Sequence, residues 1–437
     1  MKLTILGAGK SGISAATLAH SLGDLPFVSE FQPLPPIQVL DTLSIPYETG
    51  GHSDRIYEAD CLVLSPGIKK ELPIVQSFYQ RNIPVISEIE YAFTKTKQPC
   101  IGITGSNGKT TTTTLLGRML EHEFSGKRIA GNIGIPLSDV VDVNDLEPIA
   151  IELSSFQLET IDQFSPKTAV LLNVSPNHLD WYNTYDEYVD AKLNLLKHID
   201  RISHVIVNAD DKVLNERTTG LGKKRMLFSL LRTDVDAFIE DGFIKFRLDK
   251  EIQLVQISEL KCKGPHHLMN MMAASLSAYL NGVSLKTIRQ ILCTFEDLEH
   301  RIEYVGSFHE RRFYNDSKST SVEALKMALQ SFDEPVILLA GGKHKGASYS
   351  EVKELIEKNT KKIYVFGAAK NIMYDEWKDV SSIEMVETLF DALDSIAIKE
   401  EKGIVLLSPA CSSFDQFKSF EDRGTQYKSY VKKVFHG

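Results

Sequence analysis

The 437 residues are too many for one ordinary core, and at about 100–200 residues per domain they suggest about two to four units. Hydrophobic residues at 43% and charged residues at 24% exclude a disordered or membrane-embedded chain. A formal net charge of −9 argues against a general nucleic-acid binder, which needs clustered Lys and Arg, so acidic substrates must be met by local basic groups. Cys61, Cys100, Cys262, Cys293 and Cys411 form no Cys-x-x-Cys pair, so buried, reduced thiols are expected rather than disulfides or zinc. The opening Met1–Gly7 stretch is too short for a signal peptide, and no run approaches the roughly 18 apolar residues of a membrane span. A cytoplasmic location, with neither membrane nor nucleic acid as partner, is expected.

In chain order, Leu3-Thr4-Ile5-Leu6 reads as a strand, Gly7-Ala8-Gly9-Lys10-Ser11-Gly12 as a turn, and Ile13–Ala19 as a helix. Gly7-x-Gly9-x-x-Gly12 with Glu30 further on imitates a dinucleotide fingerprint. A dehydrogenase fits this stretch but leaves the rest of the chain without a purpose. Apolar runs at Cys61–Leu64, ending in Ser65-Pro66-Gly67, and at Ile83–Ile86 continue an α/β alternation.

The polar stretch Thr94–Gln98 breaks the pattern, and a new strand starts at Cys100-Ile101-Gly102-Ile103. Ile149–Ile151, Ala169–Leu172 and His204–Val207 are near-continuous apolar runs of the parallel-sheet type, while Val235–Ile257 alternates like an antiparallel appendage. From about residue 299 the alternation restarts, with strands expected at Phe308–Tyr314, Val336–Leu339, Ile363–Phe366 and Ile404–Leu407. The expected organisation is therefore α/β in three domains, at 1–95, 96–298 and 299–437, the first and third Rossmann-like.

The most informative stretch is Gly102-Ile103-Thr104-Gly105-Ser106-Asn107-Gly108-Lys109-Thr110-Thr111, between a strand and a helix. Its glycines let backbone N–H groups approach a polyphosphate, Lys109 supplies a point charge at the β- and γ-phosphates, and Thr110 can offer its hydroxyl to Mg²⁺. The usual G-x-x-x-x-G-K-[ST] spacing is not met, because its first glycine would fall on Ile103.

This variant loop is similar to that of the Mur ligases and their folylpolyglutamate synthase relatives. The likeness extends to Gly131-Asn132-Ile133-Gly134, Glu152–Leu158, Asn173–Asp180, Ala191-Lys192-Leu193, Asn208–Asp211, His300-Arg301 and Asn315–Thr320. The resemblance implies that 96–298 is a P-loop-type ATPase domain, with an ATP site built from Gly105, Ser106, Asn107, Gly108, Lys109, Thr110 and Thr111, and Asn270, Arg301 and Asp316 at the nucleoside. It implies two Mg²⁺ ions held by Thr110, Glu152, His178 and Lys192, the last carbamylated by CO₂. A carbamate converts a cation into an anionic oxygen ligand and forms only from the neutral amine, so Lys192 needs a depressed pKa. Beside Asn270 the chain departs from the family pattern: Gly264-Pro265-His266-His267 puts an imidazole where many relatives carry an amide.

Leu407–Phe420, followed by Arg423-Gly424, resembles the branch of the family that adds D-glutamate. Two carboxylates on that amino acid call for fixed donors at both ends. The resemblance assigns Lys318, Thr320 and Lys345, with Ser413 and the Phe420 backbone at the side-chain carboxylate. It gives the first domain a UDP-linked substrate, with Lys10, Ser11, Glu30, Gly67, Asn132, Ser154, Gln157 and His178 at the matching positions. The implied reaction joins D-glutamate to UDP-N-acetylmuramoyl-L-alanine for peptidoglycan, with Lys109, Glu152, His178, Lys192 and Lys318 as catalytic residues in a monomer. Domain closure is expected to bring Lys318 and Lys345 to the site. Two alternatives stay open: another ATP ligase of this kind, such as a folylpolyglutamate synthase, and a non-catalytic nucleotide-binding regulator.

Overall fold

Three sheets organise the chain, each followed here in a computed structural model that describes all residues except 67, 134, 176–181, 183, 263, 297–298, 333, 345–347, 400 and 436–437. The expected Gly67, His178 and Lys345 lie outside the described residues. The chain divides into two compact units, Met1–Phe295 and Glu296–Gly437, and the first unit contains two of the sheets.

The first sheet comprises β1 (Lys2–Leu6), β2 (Leu25–Glu30), β3 (Tyr47–Thr49), β4 (Cys61–Leu64) and β5 (Val85–Ser87), in the order β3-β2-β1-β4-β5 and parallel throughout. β2 and β3 were not expected from the sequence; Pro26 interrupts the apolar run of β2 and removes a backbone donor. The chain order reverses between β1 and β4, so the loops leaving their carboxyl ends border the crevice where α/β sheets take ligands.

The second sheet holds β6 (Cys100–Thr104), β7 (Ile129–Gly131), β8 (Ile149–Glu152), β9 (Thr168–Leu171), β10 (His204–Asn208), β11 (Arg225–Phe228), β12 (Ala237–Glu240), β13 (Phe243–Arg247) and β14 (Glu251–Gln256). Its order is β14-β13-β12-β11-β10-β9-β6-β8-β7. β12 to β14 pair antiparallel, which realises the appendage expected over Val235–Ile257. β6 lies between β8 and β9, so three parallel strands end side by side, each strand buried on both faces.

The short helix Glu88–Phe93 ties the first two sheets together with two buried carboxylates. Glu88 Oε1 accepts from the backbone N–H and hydroxyl of Ser138, each at 2.6 Å, and Glu90 accepts from the N–H groups of Asp162, Gln163 and Phe164 at 2.7–3.0 Å. These bonds satisfy backbone donors that would otherwise be buried unpaired.

In the second unit, β15 (Glu303–Phe308) and β16 (Arg311–Asn315) form an antiparallel hairpin joined to β17 (Val336–Gly341), β18 (Thr360–Phe366), β19 (Ile383–Met385) and β20 (Gly403–Leu407). The order is β15-β16-β20-β17-β18-β19, and all pairs after the hairpin are parallel. The single strand expected over Phe308–Tyr314 is therefore two strands, turned at His309 and Glu310, both in the left-handed region (φ 49° and 62°). No helix among the described residues is long and apolar enough to cross a membrane.

Candidate active site

The phosphate loop leaves β6 and enters the helix Lys109–Glu123. Gly108 sits at the helix start with φ 78°, and a Cβ there would lie 2.3 Å from Asn270 Oδ1, so a side chain is refused by both backbone and space. Asn173, just past β9, fastens the loop: its carbonyl accepts from Ser106 N–H at 2.8 Å, its Oδ1 accepts from Asn107 N–H at 2.8 Å, and its Nδ2 donates to Asn107 O at 3.1 Å. The Ser106 hydroxyl shares a 2.9 Å hydrogen bond with the hydroxyl of Tyr188 and accepts from Ser175 N–H at 2.9 Å. A loop held this firmly keeps its amides aimed without a ligand's help.

Two lysine side chains meet at one carbonyl. Lys109 Nζ donates to Gly105 O at 2.7 Å and Ser106 O at 3.0 Å, and Lys192 Nζ donates to Gly105 O at 2.9 Å. Lys192 is 2% exposed, with Nζ 4.6 Å from the centre of the Tyr188 ring. Burial, and then the charge of Lys109, depress its pKa well below the ordinary lysine range.

Glu152 ends β8 beside the loop and is 2% exposed. Its Oε1 accepts from Asn132 Nδ2 at 3.1 Å, while Oε2 is buried without a hydrogen-bond partner. A carboxyl oxygen without a hydrogen-bond partner, beside a phosphate loop and a buried Thr110, fits a hard cation, which takes oxygen ligands. Among the described residues no group of three or more His, Cys, Asp or Glu stands ready to hold a metal.

An open pocket brings together Lys10, Ser11, Asn132 and Gln157, with Pro66, Gly131 and Pro136. Four residues expected at the UDP-linked substrate thus converge from both sheets of the first unit. Ser154 stands behind them: it caps the helix Ser155–Leu158, and its N–H and hydroxyl both donate to Gln157 Oε1 at 3.0 Å, fixing that amide. Glu30 points into its own turn instead, with Oε2 accepting from Ala8 N–H at 2.9 Å and Oε1 from Gln32 N–H at 3.0 Å. Asn270 follows His267 by three residues on the helix Pro265–Leu280, so both lie on one face, and burial pushes the His267 pKa down.

In the second unit the loops after β16 and β20, adjacent parallel strands, face each other. Asp316 Oδ2 accepts from the Ser408 hydroxyl at 2.8 Å, and burial pushes the Asp316 carboxyl up to about 7 against the pull of Ser408, Ile302 N–H and the Arg301 charge. Lys318 Nζ stands 5.5 Å from the centre of the Phe420 ring, and Phe420 O accepts from the Ser317 hydroxyl at 2.8 Å. Ser413 is buried and Thr320 half-buried. Arg423, fully buried, donates to Ser317 Oγ and O and to Cys411 O at 2.8–3.1 Å, fastening the two loops. The fastening roles of Asn173, Tyr188, Ser317 and Arg423 went unassigned in the sequence. Asn173, Ser317 and Arg423 lie within the stretches that resemble the Mur ligases, but only the fold shows what they hold.

Similarity to known proteins gives first the class. The Mur ligase middle-domain model matches residues 103–278, and the MurD N-terminal-domain model matches residues 2–73. The fold is similar to that of UDP-N-acetylmuramate-alanine ligase MurC from Thermotoga maritima (TM-score 0.59, 20% identity, 99% of each chain) and of a pseudomurein peptide ligase type C from Methanothermus fervidus (TM-score 0.59, 15% identity, 99% of each chain). In sequence the chain is 38% identical to the UDP-N-acetylmuramoylalanine–D-glutamate ligases of Chlorobaculum tepidum and Bacillus cereus, in each case over 99% of this chain and 97% of the relative. The chain belongs to the UDP-N-acetylmuramoylalanine–D-glutamate ligase family, within the Mur ligases.

Proposed function

We propose that the chain joins the amino group of D-glutamate to the carboxylate of UDP-N-acetylmuramoyl-L-alanine, at the expense of ATP, in peptidoglycan synthesis. Beyond family membership, the observation that carries this reading is the convergence of Lys10, Ser11, Asn132 and Gln157 in a pocket of the same unit as the phosphate loop. The substrate carboxylate attacks the γ-phosphorus of ATP, breaking the bond to ADP and giving an acyl phosphate. The D-glutamate amine then adds to that carbonyl, and the tetrahedral intermediate expels phosphate while the nitrogen sheds its protons to solvent.

Catalysis is positioning and charge neutralisation. Lys109 leaves its loop carbonyls for the β- and γ-phosphate oxygens, the loop amides orient the polyphosphate, and Asn132 holds Glu152 in place. Glu152 Oε2, the Thr110 hydroxyl and a carbamate on Lys192 are the oxygen donors on this chain that would hold Mg²⁺, with His178 as a further ligand. Two such ions, when bound, supply positive charge between carboxylate and triphosphate. The depressed pKa of Lys192 supports carbamylation, because it favours the neutral amine, the form that attacks CO₂. Lys318, Thr320, Lys345, Ser413 and the Phe420 backbone bind D-glutamate, while Asn270, Arg301 and Asp316 bind the nucleoside. We assign three domains, 1–95, 96–298 and 299–437, to a monomer working in the cytoplasm.

ADP release measured with each substrate omitted tests the reading. Release is expected to require both UDP-N-acetylmuramoyl-L-alanine and D-glutamate; equal release with glycine or L-glutamate overturns it.

A further inference from the structure

The loops that follow β17 and β20 are zipped together over Gly341–Lys343 and Pro409–Ser412. Gly341 N–H donates to Pro409 O at 2.9 Å, Lys343 N–H donates to Ser412 O at 2.8 Å, and the Ser412 hydroxyl donates back to Lys343 O at 3.1 Å. Beneath this zipper lies Tyr349, 1% exposed, with its hydroxyl 2.9 Å from His344 Nδ1 and 2.9 Å from Cys411 Sγ. A phenol has one proton to donate and lone pairs to accept with, so it donates to one neighbour and accepts from the other, and both contacts are satisfied at once.

The ring itself is fixed from behind. Trp377 Nε1 donates to Tyr349 O at 2.9 Å, and the two rings meet edge to face at 5.7 Å. Cys411 is held on its other side, its carbonyl accepting from Arg423. Ala410 just before it takes a left-handed backbone (φ 55°), a conformation that costs an alanine about 1 kcal/mol or more and persists only where neighbours enforce it. Ser413 follows two residues after Cys411, so a grip on Cys411 constrains the backbone leading to it, while Ser413 O accepts from the N–H groups of Gln416 and Phe417 at 3.2 and 2.9 Å.

We propose that Tyr349 is a positioning residue for the amino-acid substrate: through its hydroxyl it links His344 to Cys411 and so sets the backbone that presents Ser413. The inference rests on the D-glutamate reading above. The phenol touches neither nucleotide nor UDP-linked substrate in this scheme, so its loss is selective.

In steady-state assays Tyr349→Phe, which keeps the ring and its packing, is expected to raise KM for D-glutamate about five- to tenfold, the worth of one hydrogen bond. KM for ATP and for UDP-N-acetylmuramoyl-L-alanine stays within about twofold, and kcat changes less than the D-glutamate KM. Cys411→Ala is expected to reproduce the effect, Cys411→Ser to retain the wild-type KM, and the Tyr349→Phe/Cys411→Ala double variant to be no worse than either single change. A uniform loss across all three substrates, additive single effects, or an unchanged D-glutamate KM in folded Tyr349→Phe overturns the proposal. Should the wild-type protein fail to use D-glutamate, the functional reading falls instead, so the two failures are told apart.

Discussion

The first unit contains the same device twice, a parallel strand running through a glycine turn into a helix, yet the two turns carry opposite charge. At Gly105–Thr111 two lysines, Lys109 and Lys192, donate to the loop's own carbonyls, so the turn holds the Lys109 charge ready for an anion. At Gly7–Gly12 a carboxylate, Glu30, takes the Ala8 N–H that a phosphate would use in a phosphate loop. Backbone shape alone does not say what such a turn binds; the side chain that fills its amides or carbonyls decides.

The largest test of this contrast removes the cation. Lys109→Ala is expected to lower kcat on the order of 10³-fold, since a preorganised charge at the transferring phosphoryl group is lost. The same change relieves Lys192 of the nearby charge that helps depress its pKa, which should rise. A kcat within a few-fold of wild type would mean that Lys109 is a solvated lysine and the turn no phosphate site.

A smaller effect concerns what keeps the two turns in one unit. Glu88, 2% exposed with Oε2 lacking a partner, is pushed from 4.5 up to about 7 by burial, with Asp139 adding to the rise and Ser138 opposing it. Between those two values the folded protein keeps a proton that the unfolded chain has lost, so stability falls as pH rises through this window and levels off above about 7. Glu88→Gln retains an oxygen for Ser138 and never ionises. Its unfolding free energy should match wild type near pH 4.5 and exceed it by up to roughly 3 kcal/mol at pH 8, an upper limit set by the size of the shift. Asp316 titrates in the same range in both proteins and cancels from the difference. Parallel stability curves for the two proteins would show that Glu88 is ionised throughout.

Much of this was legible in the sequence because it rests on short-range chemistry. Strand, glycine turn and helix stand next to one another in the chain, so both turns and the α/β class could be read from residue types in order. The hairpin of β15 and β16 could not, because its turn is His309-Glu310 where a two-residue turn with positive φ ordinarily carries Asn-Gly. β2 escaped because Pro26 breaks its apolar run. The fastening of the site was equally hidden: Asn173 is 66 residues from Asn107, and Arg423 is 106 from Ser317, distances that only the parallel sheets close. Lys192 shows the limit of residue type, since an exposed lysine on the same helix would have the same sequence and an ordinary pKa.

The smallest of the expected effects has the sharpest sign. Burial raises the Glu30 carboxyl, but the amides of Gln32 and Ala8, with the charge of His52, outweigh it and hold the pKa below the ordinary range, so the group is anionic at neutral pH. An anion facing the first turn repels a phosphate placed there and welcomes a hydroxyl, as the acid at the end of β2 does for a ribose in dinucleotide folds. On this reading the pyrophosphate of a UDP-linked substrate is expected nearer Lys10, on the pocket side of the turn. Glu30→Gln removes the charge and turns one amide acceptor into a donor. If the turn receives a sugar hydroxyl, KM for UDP-N-acetylmuramoyl-L-alanine rises about tenfold, near 1.4 kcal/mol, with KM for ATP unchanged. If it binds phosphate as the second turn does, losing the negative charge lowers that KM instead. Kinetics with the UDP-linked substrate varied at saturating ATP and D-glutamate therefore decide, by direction alone, whether the two turns are chemically distinct or merely the same site written twice.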